Sequence, residues 1–319
     1  MPMKAELSRR ESSAALVVGA MNFGKRTTEA ESKKVVAWAL EHRLTHFDTA
    51  NTYNQGLSER IVGEALRGID SATIATKVGL DRIGGKNEGL SRAAIFRAID
   101  ASLKRLGRDA VDLYYLHAPD GATPIEETLD AFAELYESKK ILSWGVSNYA
   151  SWQVLEMMPL AKERGLPPPA IAQQLYNVLI REIEIEYLAF AARYRVATTV
   201  YNPLAGGLLT GRHSKGGAVS DSRFEGNAMY QRRYWTSRMF DEVEALKAIA
   251  MAAGISLIEL AYRWLAYRPG VDSILVGPAS VDQLEAAVNA CATPLAADVA
   301  KQVDALHLQF VGTDTHYVR

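Results

Sequence analysis

Short runs of β-branched and apolar residues alternate along this chain with longer segments whose apolar positions recur at helical spacing. Runs of the first kind are Leu16–Val18, Thr45–Phe47, Thr73–Thr76, Val111–Leu116, Leu142–Val146, Ala170–Leu175, Ala197–Tyr201 and Ser273–Val276. Their length and content predict strands. The segments between and after them predict helices over Glu29–Glu41, Ser58–Leu66, Arg92–Leu106, Ile125–Ser138, Trp152–Arg164, Glu182–Arg193, Asp241–Ala253 and Val281–Ala290. Strands that alternate with helices form a parallel sheet covered by helices. Eight such pairs in one domain's length predict an α/β fold, a closed (β/α)8 barrel.

Local chemistry sharpens several boundaries. Ser91 can cap the third helix with its hydroxyl. Thr123-Pro124 followed by Glu126 and Glu127 opens the fourth, with proline in the first turn and acids at the positive end of the dipole. Gly107 closes the third helix where a left-handed residue is required. Three features fall outside the alternation: a loop from Asn202 to Ser237, an extra helix at Ser256–Ala266, and a last helix near Pro294–Phe310 with a short tail to Arg319, expected over the barrel mouth. So long a connection in a compact domain usually binds something. Nothing reads as a linker, so residues 1–319 are expected to be a single domain.

Composition narrows the class. Of 319 residues, 48% are hydrophobic, enough for a large core, and the formal net charge is −1, which provides no electrostatic footprint for nucleic acid. The aromatic run Tyr230–Trp235 has no basic tract beyond Arg232-Arg233 and is not read as a base-stacking platform. The apolar run Ala14–Ala20 is too short to span a bilayer or serve as a signal peptide, and no later stretch is long enough, so no membrane partner is expected. The single cysteine, Cys291, cannot form an internal disulfide, which favours a reducing, cytoplasmic compartment. The six histidines form no cluster with ligand spacing, so no metal is expected.

Barrel enzymes carry their chemistry where strands end. Here the second strand ends at Phe47-Asp48 with Tyr53 shortly after, the third at Thr76-Lys77, the fourth at Leu116-His117, the fifth at Ser147-Asn148, the sixth near Gln173 and the seventh at Tyr201. The first four have complementary chemistry. A buried lysine needs a carboxylate partner, so Asp48 is expected to pair with Lys77. The ammonium is expected to lower the Tyr53 pKa, and Tyr53 to donate a proton to a developing alkoxide. His117 can hydrogen-bond the same oxygen and hold a carbonyl in place. None of these groups supplies a hydride, so a redox cofactor is implied.

The run His46-Phe47-Asp48-Thr49-Ala50-Asn51-Thr52-Tyr53 with Gly56 and Ser58-Glu59 resembles the aldo-keto reductase signature. Ala75-Thr76-Lys77, Leu116-His117, Trp144–Asn148, Gln173–Asn177 and Tyr201-Asn202-Pro203-Leu204 follow in that family's order, so the resemblance covers essentially the whole chain. Met21–Thr27 and Arg233-Tyr234-Trp235 are similar to the branch of aflatoxin-aldehyde and succinic-semialdehyde reductases.

The resemblance implies NADPH, with NADH second, and a small carbonyl substrate. It implies Tyr53 as acid, tuned by Asp48 and Lys77, with His117 orienting the carbonyl. Cofactor contacts are implied for Gly19, Ala20, Met21, Asp48, Ser147, Asn148, Gln173, Tyr201, Asn202, Pro203, Leu204, Gly206, Leu208, Gly211, Arg212, Gly277, Ser280 and Gln283. Among these, Ser147, Asn148 and Gln173 would take the nicotinamide carboxamide and Tyr201 would stack on the ring. Gly206 and Gly207 would let backbone approach the phosphates. Met21, Asn22, Tyr53, His117, Tyr230, Arg233 and Arg319 would meet the substrate, the arginines holding a carboxylate.

Two departures bear on the cofactor: Gln283 stands where many members have arginine, and Ala287 where an asparagine near adenine is common. The resemblance also implies a homodimer. Two other functions share the fold and the four residues: a cofactor-sensing module like the potassium-channel β subunits, and a reductase of a sugar or secondary-metabolite ketone.

Overall fold

A computed structural model describes residues 13–220 and 222–312. Eight parallel strands close into a barrel: β1 (Ala15–Gly19), β2 (His46–Asp48), β3 (Thr73–Val78), β4 (Leu113–Leu116), β5 (Trp144–Ser147), β6 (Ile171–Leu175), β7 (Ala197–Tyr201) and β8 (Ser273–Val276). Each strand pairs with its sequence neighbours, and β1 closes on β8 in the register Ala15↔Ser273 to Val18↔Val276. Among the described residues eleven helices accompany them: α1 (Glu29–Glu41), α2 (Leu57–Ala65), α3 (Arg92–Leu106), α4 (Ile125–Glu137), α5 (Ser151–Glu163), α6 (Tyr187–Tyr194), α7 (Ala228–Tyr234), α8 (Ser237–Ala252), α9 (Leu257–Ala266), α10 (Val281–Cys291) and α11 (Ala297–Val311).

Side chains alternate across each strand, and two apolar clusters result. One face packs outward under the helices, with Ile74, Tyr114, Trp144, Val146, Val200 and Ile274 among its buried members. The other fills the barrel: Val17, Ala75, Leu113, Tyr115, Ile171 and Ala197. Tyr115 pairs in register with Gly145 of β5. A Cβ at Gly145 would lie 2.9 Å from Tyr115 Cε1 and 2.8 Å from Ile171 Cγ2, so glycine makes room for the ring. The interior is thus a packed core, and polar groups are displaced to the strand ends.

All eight predicted strands and their helices form, with shifts that have local causes. Ser91 caps α3 by accepting from Ala94 N at 3.3 Å, and Gly107 ends it with φ +63°. Pro124 is the cap of α4 and not its first residue. The helix expected over Glu182–Arg193 breaks at Glu186 (φ −148°), leaving a 3-10 turn at Glu182–Glu184 before α6. Arg181 holds that turn through Glu184 at 2.8 Å and Asp304 of α11 at 2.8 Å. α8 starts at Ser237, ahead of the expected Asp241, because Thr236 accepts from Met239 N at 3.2 Å. A two-stranded ribbon, Arg82–Ile83 with Lys86–Asn87, follows β3 and was not expected.

The long connection after β7 is partly helical over its described residues. It contains a 3-10 turn at Ala205–Thr210 and α7. Phe224 anchors it, with ring centroids at 5.0 Å from His213, 4.9 Å from Trp235 and 6.2 Å from Tyr230. Arg319 and the tail over the mouth lie outside the described residues. Among the described residues no helix is long and apolar enough to cross a membrane, and no group of acidic, histidine or cysteine side chains could hold a metal. Cys291 is buried at the end of α10, where burial pushes its thiol up to about 12.

α2 packs closely on α3, where a Cβ at Gly63 would come within 2.6 Å of Leu106 Cα. Because backbone cannot step aside as a side chain can, Gly63→Ala is expected to destabilise the fold by ~1–3 kcal/mol, read as a lower urea midpoint with unchanged slope.

Candidate active site

Asp48 ends β2 with its carboxylate buried. One oxygen accepts from Lys77 Nζ in a close ion pair, and the other from Gln173 Nε2 at 2.9 Å. The Lys77 ammonium also donates to Thr49 O at 2.8 Å, so a lysine with no exposed surface has several acceptors. Tyr53 sits in the turn after β2, and Lys77 Nζ lies 5.1 Å from its ring centroid. The His117 ring meets Tyr53 edge-on at 5.8 Å and 81°. The four residues expected at separate strand ends therefore converge. Beside them, Asn148 adopts φ +64°, and its Nδ2 donates to His117 O at 2.9 Å and Ser147 Oγ at 3.0 Å. Its Oδ1 accepts from Tyr201 OH at 2.7 Å.

Burial dominates the electrostatics. It lowers the Lys77 pKa, while Asp48 acts in the opposite direction. It raises that of Tyr53, Asp48 adds to the rise, and Arg223 opposes it. The expected lowering by Lys77 is not found. The ammonium is already paired with Asp48, and that carboxylate repels a phenolate. Tyr53 is thus held as a phenol at any physiological pH, the form a proton donor needs. His117 is depressed to about 3 by burial and then by Lys77, so it is a neutral imidazole. Its Nδ1 is buried with no hydrogen-bond partner among the described residues.

Comparison with known proteins agrees with this geometry. A family model described as "Aldo/keto reductase family" matches residues 15–307. Aflatoxin B1 aldehyde reductase member 2 of Rattus norvegicus is 35% identical over 284 residues, 84% of this chain and 77% of its own. Aldo-keto reductase family 7 member A3 of Homo sapiens is 35% identical over 298 residues, 89% of each chain. A probable voltage-gated potassium channel subunit beta of Arabidopsis thaliana is 33% identical over 295 residues, 89% of this chain and 90% of its own. The chain belongs to the aldo/keto reductase family. It is an NAD(P)H-dependent oxidoreductase that acts on small carbonyl compounds, and no cofactor chemistry resides in its own side chains.

The rim of this aldo/keto reductase carries the residues implied for the cofactor, in varied states. Ser147 Oγ donates to Gln173 O at 3.0 Å, which ties two of the expected carboxamide partners together. Gly19 closes β1, Ala20 O accepts from Ser58 Oγ at 2.7 Å, and Met21 is 36% exposed at the mouth. Asn202 accepts from Tyr230 OH at 3.4 Å, and Pro203 and Leu208 are buried. Leu204 precedes the turn at Ala205–Thr210, Gly211 ends it with φ +70°, and Arg212 is exposed beyond it.

Gly206 is also required by packing. A Cβ there would lie 2.7 Å from the Tyr230 ring, whereas one at Gly207 would meet nothing closer than His213 Nε2 at 3.8 Å. Gly207 is therefore the glycine with open space over it. Ser280 caps α10 and Gln283 Oε1 accepts from Ala279 N at 2.9 Å, so this glutamine serves its own helix start. Ala287 is fully buried.

On the substrate side, Asn22 Nδ2 donates to Gly277 O at 3.0 Å, tying the loop after β1 to that after β8. Arg233 is half-buried on α7 and interacts with the Tyr201 hydroxyl. The reading from sequence missed Arg223. Its guanidinium donates to Asn22 Oδ1 at 3.2 Å, Tyr230 OH at 3.3 Å and Asn202 Oδ1 at 3.4 Å, tying the connection after β7 to the loop after β1. Its one sequence signal was an arginine next to Phe224 within the long connection.

The neutral His117 gives a titration test. The unfolded imidazole protonates near 6.5 and the folded one near 3. Between these values the unfolded chain binds the extra proton, so His117 costs stability progressively as pH falls from 6.5 toward 3. Its ring resonances should stay at their neutral position in an NMR titration down to pH ~5, well below the unperturbed histidine value of ~6.5. A midpoint near that unperturbed value would refute the burial argument.

Proposed function

We propose that the protein reduces aldehydes to alcohols with NADPH, and that Tyr53 is the general acid. The observation that carries this reading is a phenol kept protonated by burial beside a buried Lys77–Asp48 pair and a neutral His117. NADPH, when bound, supplies a hydride to the carbonyl carbon. As the carbonyl π electrons move to oxygen, Tyr53 gives that oxygen its proton, and His117 donates a hydrogen bond to hold it. Lys77 lies close enough to the Tyr53 ring to stabilise the phenolate left behind. Solvent then returns the proton.

The residues at the rim fit the cofactor chemically. Ser147, Asn148 and Gln173 present the alternating donors and acceptors that a carboxamide requires. Tyr201 offers a ring face. Gly207, Gly211, Arg212 and Arg223 suit the pyrophosphate, which NADPH and NADH share, and the preference for NADPH rests on the resembled branch and not on these arginines. The adenosine end would meet Gly277 and the start of α10. Arg233, with Arg319, suits an aldehyde bearing a distal carboxylate or a dicarbonyl. A homodimer and a cytoplasmic site remain part of the same reading, the second resting on a lone buried thiol.

Turnover assays with each cofactor test it. NADPH should support reduction of succinic semialdehyde and a neutral aromatic aldehyde. Tyr53→Phe should lower kcat by ~10²–10⁴-fold while NADPH binding persists. Arg233→Met should raise KM about tenfold for the carboxylate-bearing aldehyde and leave the neutral one unchanged. Equal effects on both would remove the clamp. The channel-subunit relatives favour a second reading, a slow cofactor sensor. Tight NADPH binding with negligible turnover of every aldehyde would select it.

A further inference from the structure

Tyr53 is followed by three successive left-handed residues, Asn54 (φ +52°), Gln55 (φ +57°) and Gly56 (φ +82°). For the first two this conformation costs about 1–3 kcal/mol each and persists only where neighbours enforce it. Asn54 is held by its own amide, which donates to Phe23 O at 2.6 Å. Gly56 is held from above: a Cβ there would lie 2.6 Å from Arg105 Cδ and Nε, so the Arg105 side chain runs directly across it. Arg105 comes from α3 and is fixed in place by Glu59, whose carboxylate has no exposed surface and accepts from Arg105 Nε at 2.6 Å. The other Glu59 oxygen accepts from Thr76 Oγ1 at 2.5 Å, and Thr76 is the strand residue immediately before Lys77.

We propose that Glu59 and Arg105 are positioning residues for the reaction, a buried carboxylate and a half-buried guanidinium that clamp the strained Tyr53 turn to the strand carrying Lys77 and so set the acid against its ammonium. The proposal rests on Tyr53 being the acid. Neither residue touches the reacting atoms, and burying the Glu59 charge has a desolvation cost that an apolar contact would not. The pair also acts through charge. Lys77 is faced by Asp48 from β2, Tyr53 from the turn, Tyr115 and His117 from β4, and Glu59 from α2, with Arg105 of α3 behind it. Of the two carboxylates, Glu59 is the second that favours the protonated lysine.

Glu59→Gln keeps the shape and removes the charge. The expected result is a fall in kcat of about tenfold or more with KM for the aldehyde and Kd for NADPH near wild type. The alkaline limb of the kcat profile should also move to lower pH, because Lys77 loses its proton more easily without Glu59. Thr76→Val, which cuts the link to β3 and leaves the ion pair, should lower kcat in the same sense, and Thr76→Ser should restore it. It serves as the reporter if Glu59→Gln does not fold. Wild-type kcat and an unmoved limb in the folded variants, with only Tm lowered, would overturn the positioning role. Tyr53→Phe run alongside separates the two ideas. If it abolishes turnover while the Glu59 and Thr76 variants are normal, only the positioning role fails, whereas retained turnover removes the acid assignment beneath it.

Discussion

The ion pair between Lys77 and Asp48 is the constraint around which the mouth of this barrel is organised. Burying either charge alone would cost several kcal/mol, and the pair is tolerable only because each remaining polar atom is also answered. The ammonium has Thr49 O and the carboxylate has Gln173 Nε2, so strands β2, β3 and β6 are tied at one point. That point fixes what surrounds it. Burial, reinforced by the Lys77 charge, keeps His117 neutral; burial, reinforced by the Asp48 charge, keeps Tyr53 protonated; and Gln173 carries the link on to Ser147 and Asn148. A packed interior beneath, with Tyr115 against Gly145, leaves the pair nowhere to relax.

Two kinds of element divide the work above it. Strand ends carry the groups whose position must be exact to a fraction of an ångström, since rigid elements hold side chains better than loops do. The connection after β7 carries Arg223, which donates to the hydroxyl of Tyr230, a ring packed against Phe224, so the packing of one apolar ring helps to set where that charge lies.

Much of this was legible in sequence because it depends on local period. The strands and helices follow from apolar spacing, and the polar residues that interrupt each apolar run mark the strand ends. What failed was set by non-local packing. The break before α6 comes from Arg181 reaching Asp304 of α11. The paired strands after β3 are too short to show a period. Arg223 gains its meaning from Asn22, 201 positions earlier, and no spacing rule reaches that far. The packing of Gly206 against the Tyr230 ring, 24 positions later, is likewise invisible to spacing. The direction of the Tyr53 shift was missed because residue types reveal which charges meet but not how far burial outweighs them.

The buried thiol has a consequence for an enzyme whose substrates are electrophiles. Carbonyl compounds, and dicarbonyls above all, form adducts with exposed thiolates. This chain has one cysteine, fully packed at the end of α10 and held as a thiol by its surroundings. It therefore offers its own substrates no soft nucleophile, and self-inactivation at sulfur during turnover is closed off by composition and packing together.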